Sequence, residues 1–119
     1  NEGRHLPVPH CIEGTEGHAL DNAIAAAVDG IPASCIIRKP TFGSVALPDM
    51  LRALPEPPTE IEFVGVCTDI CVISNAMVLR AAFPETEIEV LSDCCAGVTP
   101  QSHQTALDAM RACQFTIIS

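Results

Sequence analysis

The sequence contains no tryptophan and no tyrosine, and its only aromatic residues are four phenylalanines in a chain of 119 residues. Hydrophobic residues nevertheless make up 48% of the chain, which is ample material for one folded domain. Because large aromatic side chains are so few, we expect a core built mainly from alanine, valine, isoleucine and leucine.

Basic residues are also scarce, since six Lys and Arg stand against fifteen Asp and Glu and the formal net charge is −9. A nucleic-acid-binding protein needs Lys and Arg to neutralise phosphates, so this composition argues against that class. No apolar run approaches the ~20 residues that span a bilayer. We therefore expect a protein that binds neither nucleic acid nor membrane.

The seven cysteines include no C-x-x-C pair and have no regular spacing. Four of them lie in apolar stretches, as free thiols do in a reducing compartment: Cys35, Cys67, Cys71 and Cys113. This usage predicts a cytoplasmic protein rather than a secreted disulfide scaffold.

Four apolar runs have the β-branched composition of strands, namely residues 34–38, 61–66, 87–91 and 115–118. Helices are predicted over residues 20–28, 48–54 and 69–83, and again after a Thr99–Pro100 cap, where the apolar face is Ala106, Leu107, Met110 and Cys113. The alternation of strands and helices predicts an α/β domain with a parallel sheet. Ligands of such sheets bind beyond the carboxyl ends of the strands, which points to residues 39–42, 67–71 and 93–98.

The stretch VGVCTDICV places Cys67 and Cys71 where a predicted strand meets a predicted helix. Thr68 or Asp69 can cap that helix, so Cys71 falls in its first turn, near backbone N–H groups and the positive end of the helix dipole. This setting favours a thiolate nucleophile and can hold an oxyanion. A buried, inert cysteine in an apolar helix is an equally weighted alternative.

Lys39 directly follows the predicted strand 34–38, so it also lies at a carboxyl end. A lysine there can favour the thiolate or carry its proton, and a solvated surface lysine is the ordinary alternative. Phe42, three residues later, is a candidate wall for an aromatic-sized substrate pocket, and a core position is the alternative.

Four segments in order resemble the cysteine hydrolases of the isochorismatase-like superfamily: LPVPHCIEGTEG, RKPTFGS, GVCTDICV and EVLSDCCAGVTPQSHQTALDAM. The first of them is similar to a segment of the nicotinamidase branch, and together they cover essentially the whole chain. The resemblance implies a three-layer α/β/α fold and an Asp–Lys–Cys triad that hydrolyses amides through a thioester. Cys71 matches the nucleophile and Lys39 matches the lysine. A non-proline cis peptide bond is implied between Val66 and Cys67, which would aim the Cys67 amide, with that of Cys71, at the substrate oxygen.

The aspartate of the family, which lies in a D-x-Q-x-x-F segment, has no match in this sequence. None of the six aspartates has that context: Asp21, Asp29, Asp49, Asp69, Asp93 and Asp108. We expect Asp69 to cap its helix and Asp93 to be structural. The resemblance therefore implies that residues 1–119 are the C-terminal portion of one isochorismatase-like domain, whose first strands precede residue 1. An inactive member of the same fold is the alternative.

Nicotinamidases also hold a divalent metal, often zinc, through an Asp and a His of a D-x-H segment and a His that precedes a cysteine. His10 matches the last of these ligands, and the D-x-H pair would lie upstream of residue 1. A loop histidine with a hydrogen-bonded ring is the alternative for His10.

The resemblance thus implies a hydrolase of a small carboxamide, first of all nicotinamide, and we also expect a homo-oligomer. Three alternatives stay open: an N-carbamoyl or ureido substrate, a non-catalytic interaction module, and a redox or metal-binding thiol protein.

Overall fold

The computed structural model describes residues 2–119, and the chain divides into two compact units, Asn1–Thr41 and Phe42–Ser119. The first unit contains two 3₁₀ turns, Glu2–His5 and Glu16–His18, and one α-helix, α1 (Asn22–Asp29). Asp21 caps α1, because its carboxylate accepts hydrogen bonds from the backbone N–H groups of Ala23 and Ile24.

The strand predicted over residues 34–38 is wrong. These residues have no regular secondary structure, and residues 2–41, the described part of the first unit, contain no strand. A strand needs a neighbour that completes its backbone hydrogen bonds, and this unit offers none. The β-branched composition of the segment was therefore not sufficient.

The second unit alternates helices and strands. Its elements are α2 (Leu47–Arg52), β1 (Glu60–Val66), a π-helical turn (Thr68–Val72), α3 (Ile73–Ala82), β2 (Glu87–Ala96), α4 (Pro100–Ala112) and β3 (Thr116–Ile118). The three strands form one parallel sheet in the order β1–β2–β3. The predicted α/β class with a parallel sheet is confirmed.

The register between β1 and β2 shifts near the carboxyl end of β1. Phe63 pairs with Val90, but Gly65 pairs with Cys95, so β2 inserts extra residues opposite a short stretch of β1. The C-terminal residues of β2, Cys95 and Ala96, therefore pair with Gly65 and Val66 at the end of β1, where the cysteine-containing turn begins. The strand predicted over residues 87–91 is thus longer than expected, because its pattern did not reveal this irregularity.

The core of the second unit lies where the sheet packs against α3 and α4. Its buried members are Ala76, Leu79, Ile88, Val90, Leu107, Met110 and Phe115. The core is mainly aliphatic, as the composition predicts, with one phenylalanine and one methionine. Cys113, which the helical period places on the apolar face of α4, is exposed because it lies at the C-cap, after the last turn.

The N-terminus of α4 follows the sequence signal closely. Thr99 is the N-cap, Pro100 occupies the first turn, and Ser102 completes a capping box with the threonine. The start of this helix is therefore fixed next to the end of β2, opposite the cysteine-containing turn.

The other face of the sheet is solvent-exposed among the described residues. β1 alternates between half-buried and exposed positions, and Val64 and Val66 are 57% and 68% exposed. None of the helices in residues 2–119 has the length and apolar character needed to cross a bilayer.

Candidate active site

The candidate site is built on the turn between β1 and α3. β1 ends at Val66, the peptide bond between Val66 and Cys67 is cis, and residues 68–72 form a π-helical turn that leads directly into α3. The cis bond is present at the position that the resemblance predicts. Cys71 lies in the π-helical turn and is half-buried, so its thiol is neither sealed in the core nor fully solvated.

The π-helical turn differs from the α-helical first turn predicted for Cys71. The Cys67 carbonyl accepts hydrogen bonds from both Ile70 and Val72, and this wider turn re-aims the residues that follow the strand. π-helical turns of this kind occur often at functional sites. Propensity and periodicity do not distinguish a π turn from the first turn of an α-helix, which is why the sequence did not reveal it.

Thr68 attaches this turn to α4. Its side chain is fully buried, and its hydroxyl lies 2.8 Å from Nδ1 of His103 in the first turns of that helix. A buried hydroxyl without a partner would be costly, so the histidine satisfies it and at the same time fixes the turn. Local sequence signals indicate only a possible cap at Thr68 and no chemistry at His103.

Asp69 does not cap its own helix, which corrects the prediction. Cys67 occupies the N-cap position, and the Asp69 carboxylate instead accepts a hydrogen bond from the backbone N–H of Val98, at 3.1 Å. Partial burial raises the pKa of Asp69, but the hydrogen bonds from Ser102 and Val98 and the charge of His103 outweigh it and hold that pKa below its ordinary value. The aspartate thus attaches the turn to the loop before α4.

Gly97 permits this close approach. A Cβ at this position would lie 2.8–2.9 Å from the Cβ, Cα and N atoms of His103, which is inside van der Waals contact. Only a residue without a side chain lets the loop after β2 pass so near to α4. The turn, the loop and the helix therefore form one fixed assembly.

Asn75 attaches the same turn to the segment that contains Phe42. The Asn75 amide nitrogen donates to the carbonyls of Cys71, at 2.9 Å, and of Phe42, at 3.1 Å. Its oxygen accepts from the backbone N–H of Ser44, at 2.8 Å. The contacts with Phe42 and Ser44 join residues more than thirty positions apart, so no local sequence signal indicates them.

Lys39 and His10 belong to the first unit. Lys39 is exposed, and its ammonium group donates to the carbonyl of Thr41, at 3.0 Å. His10 is exposed as well, and its Nδ1 donates to the carbonyl of Val8, at 3.1 Å. This bond fits the alternative of a loop histidine with a hydrogen-bonded ring, and it places the free electron pair of the neutral ring on Nε2.

Among the described residues, one group of three or more possible metal-ligating side chains lies close together: Glu60, Glu62 and Glu89. These carboxylates belong to β1 and β2 at the end of the sheet away from Cys71. Burial, and then repulsion from the neighbouring glutamates, raise the pKa of Glu89. Zinc sites are built largely from imidazole and thiolate ligands, so this exposed acidic group does not fit one, and His10 is not part of it.

Cys95, which follows Cys94 in the chain, has the surroundings of a protonated thiol. Burial raises the pKa of the Cys95 thiol, and its Sγ lies 4.0 Å from the Phe63 carbonyl, to which it donates a weak hydrogen bond. All seven cysteines are free thiols. A thiol that is held protonated is a poor metal ligand and nucleophile, which weighs against the redox or metal-binding alternative at Cys95.

An open groove of about 550 Å³ runs along α4 and is lined in part by Asp69. Its lining residues are Asp69, Ile73, Thr99, Gln101, Ser102, Thr105, Ala106 and Ala109. The Cys71 thiol is not part of this lining, so the groove is not the space in which the cysteine would meet a substrate.

Comparisons with known proteins bear on this turn. The family model described as the isochorismatase domain matches residues 1–119. A nicotinamidase/pyrazinamidase from Bacillus subtilis superposes with a TM-score of 0.81 at 24% identity, covering 99% of this chain and 66% of that one. A pyrazinamidase/nicotinamidase from Streptococcus mutans superposes with a TM-score of 0.77 at 28% identity, covering 98% and 66%.

A third structure, the pyrazinamidase of Pyrococcus horikoshii in complex with zinc, has a TM-score of 0.69 at 21% identity and covers 93% and 62% of the two chains. The present chain therefore spans about two thirds of the length of these proteins. A search of curated proteins found no match.

Proposed function

The chain belongs to the isochorismatase family, and from this premise we propose that it is a cysteine amidohydrolase that converts a small carboxamide, in the first instance nicotinamide, to the carboxylate and ammonia. The observation that carries the proposal is the place of Cys71. It is a half-buried thiol on a π-helical turn at the carboxyl end of β1, where parallel α/β sheets bind their ligands.

The proposed reaction has two halves. The Cys71 thiolate attacks the carboxamide carbon and forms a C–S bond, while the carbonyl electron pair moves onto oxygen. The backbone N–H groups of Cys67 and Cys71 are the proposed donors to that oxyanion. When the intermediate collapses, the C–N bond breaks, the nitrogen takes up a proton and leaves as ammonia, and a thioester remains on Cys71. Water then attacks the thioester, and the carboxylate and the thiol are released.

We propose that Lys39 carries the protons of these steps. It is the single lysine of the sequence, and the proposal for it depends on its match to the lysine segment of the family. The aspartate of the triad has no match among the six aspartates. Asp69, which lies two residues before Cys71, accepts a hydrogen bond from the Val98 N–H, so it is not offered as a replacement.

Nicotinamide is favoured as the substrate by two features. The segment around His10 is similar to the nicotinamidase branch, and the two structural relatives named with nicotinamidase activity superpose over nearly the whole chain. Phe42 is the proposed wall for a flat aromatic ring, since Asn75 holds its backbone close to the backbone of Cys71. N-carbamoyl and ureido compounds are the next substrates to test.

For a divalent metal, we propose His10 as one ligand and no complete site. Its Nδ1 donates to Val8, which leaves Nε2 as the nitrogen that would face a metal such as zinc. One histidine does not make a site that needs about three protein ligands, so the described residues alone do not fit the metal. No step of the proposed reaction is assigned to it.

We also propose a cytoplasmic homo-oligomer. Seven free thiols suit a reducing compartment, and the exposed valines on the open face of β1 suit burial against other protein surface. Light scattering at several protein concentrations measures the oligomeric state, and a monomer throughout would contradict that part of the proposal.

The test of the activity is ammonia release from nicotinamide by the protein at its natural length, beside two cysteine variants. Cys71→Ala should abolish release. Cys113→Ala removes an exposed thiol at the end of α4 and should leave release unchanged. Release that persists in Cys71→Ala would refute the proposed nucleophile. Absence of release in the unmodified, folded protein would refute nicotinamide and turn the search to the other amides.

A further inference from the structure

Asn75 joins three backbone groups that the sequence separates widely. It lies four residues after Cys71, one turn further along the same helical face, and its amide nitrogen donates to the Cys71 carbonyl. The same nitrogen donates to the Phe42 carbonyl, and the oxygen accepts from the Ser44 N–H. Both ends of the segment 42–44 are therefore tied to the turn that contains the proposed nucleophile.

A second observation shows how closely that segment lies against the turn. A Cβ on Gly43 would lie 3.3 Å from the backbone carbon, the carbonyl oxygen and the Cβ of Ser74. Ser44 is buried, with 7% of its surface exposed. The segment thus packs closely against the start of α3, and a side chain at position 43 would require a shift of a few tenths of an ångström.

We propose that Asn75 is a positioning residue of the active site, which fixes Phe42 relative to Cys71 and so sets the distance between the substrate-binding wall and the nucleophile. The inference rests on the proposed function, because it assigns Phe42 and Cys71 their parts in binding and reaction. It goes beyond that function by naming the side chain that holds Phe42 and Cys71 at a fixed distance from each other. The hydrogen bonds of the Asn75 side chain go to backbone groups and not to the Cys71 thiol.

The chemistry of the amide group supports this role. One amide offers two N–H donors and one carbonyl acceptor in a single plane, and the three contacts use both donors and one acceptor position. A hydroxyl has one donor and cannot donate to both carbonyls. An aliphatic side chain of similar size removes all three of these hydrogen bonds, so the segment is held less firmly against the turn.

The first test compares Asn75→Leu with Ser74→Ala in the protein at its natural length. Ser74→Ala is the matched control, because the Ser74 hydroxyl donates to the Ile70 carbonyl within the same turn and makes no contact with the segment through that group. We expect Asn75→Leu to lower kcat/KM for nicotinamide by roughly 10- to 100-fold, mostly through a higher KM, since a shift of about 1 Å in a positioned group has effects of this size. The control should retain the unmodified KM and kcat.

A second perturbation of the same contact is Gly43→Ala, whose added Cβ would lie 3.3 Å from Ser74 and shift the segment by a few tenths of an ångström without changing Asn75. We expect a rise in KM that is smaller than in Asn75→Leu. The double variant should be no worse than the more impaired single variant, because both substitutions release the same segment. Additive losses would contradict the inference.

Two further measurements separate this inference from the proposed function. Hydrogen exchange of the Ser44 amide, followed by NMR, should accelerate roughly 10-fold in Asn75→Leu and stay unchanged in Ser74→Ala, whatever the substrate is. If no variant hydrolyses nicotinamide but the exchange follows this pattern, the function fails and the positioning by Asn75 stands. If Asn75→Leu matches the control in exchange and KM, the inference is overturned.

Asn75→Asp serves where the leucine variant melts at a temperature too low to assay. It keeps the shape and the acceptor for Ser44 but loses both donors, so KM should rise while the Ser44 amide stays protected. An unchanged KM in this variant would overturn the inference.

Discussion

Replacing Gly97 with alanine tests the assembly that holds the cysteine-containing turn. The new Cβ would stand 2.8–2.9 Å from the backbone N and Cα and the Cβ of His103, where contacts between carbon atoms are normally about 3.5–4.0 Å. These are mostly backbone atoms at the start of α4, so the loop or the helix has to retreat. Overpacking of this kind costs about 1–3 kcal/mol. Loss of the bond between His103 and Thr68 adds about 1 kcal/mol.

We therefore expect Gly97→Ala to lower the free energy of unfolding by about 2–4 kcal/mol in urea titrations followed by circular dichroism. Gly30→Ala is the matched control, because its Cβ would meet the Ala27 carbonyl at an ordinary 3.4 Å. That variant should be neutral or more stable by up to about 1 kcal/mol, since alanine restricts the unfolded chain. Equal unfolding midpoints for the two variants would refute the reasoning.

Three further predictions concern charged side chains. Arg80 donates to the carbonyls of Thr86 and Gln114 and lies over the Phe115 ring, so Arg80→Lys should lower the free energy of unfolding in urea by about 1–3 kcal/mol. Arg111→Lys, in an exposed ion pair, should lower it by less than about 1 kcal/mol. Equal losses in the two variants would contradict a stabilising role of the Arg80 contacts. Asp69 has a lowered pKa, so it stabilises the fold above the ordinary Asp pKa. The stability lost in Asp69→Ala should therefore shrink as the pH falls through and below that range, and a pH-independent difference in Tm would contradict this. Glu89 has a raised pKa, so its charge destabilises the fold at neutral pH. Glu89→Gln should raise Tm at pH 7 and lose that gain in acid, and an unchanged Tm at pH 7 would argue against it.

The second unit could be predicted from sequence where local signals and the fold agree. Alternation in residues 61–66 and 87–91 placed β1 and the start of β2, and Thr99 with Pro100 placed the start of α4. Each of these signals acts over a few residues, through strand pairing of an apolar face or through capping of the first N–H groups. The match of four ordered segments identified the family, and the cis bond at Val66–Cys67 followed from that resemblance.

The parts that sequence did not predict depend on distant partners. Residues 34–38 have strand composition, but a strand also requires a neighbour. Asp69 has the chemistry of a helix cap, but the Val98 N–H, 29 residues later, competes for its carboxylate. Thr68 is hydrogen-bonded to His103, 35 residues away in the sequence, and Asn75 is hydrogen-bonded to Phe42, 33 residues away. None of these pairings leaves a local periodicity or spacing from which it could be inferred.

The central claim is that Cys71 forms a covalent thioester with the acyl group of the substrate. Rapid mixing of the protein at its natural length with nicotinamide, acid quenching within the first turnover and mass spectrometry of the digested chain test it most directly. The account predicts a nicotinoyl adduct on the peptide that contains Cys71, which appears before the steady state and is absent in Cys71→Ala. Steady release of ammonia with no adduct on Cys71, or with the adduct on another residue, would contradict it.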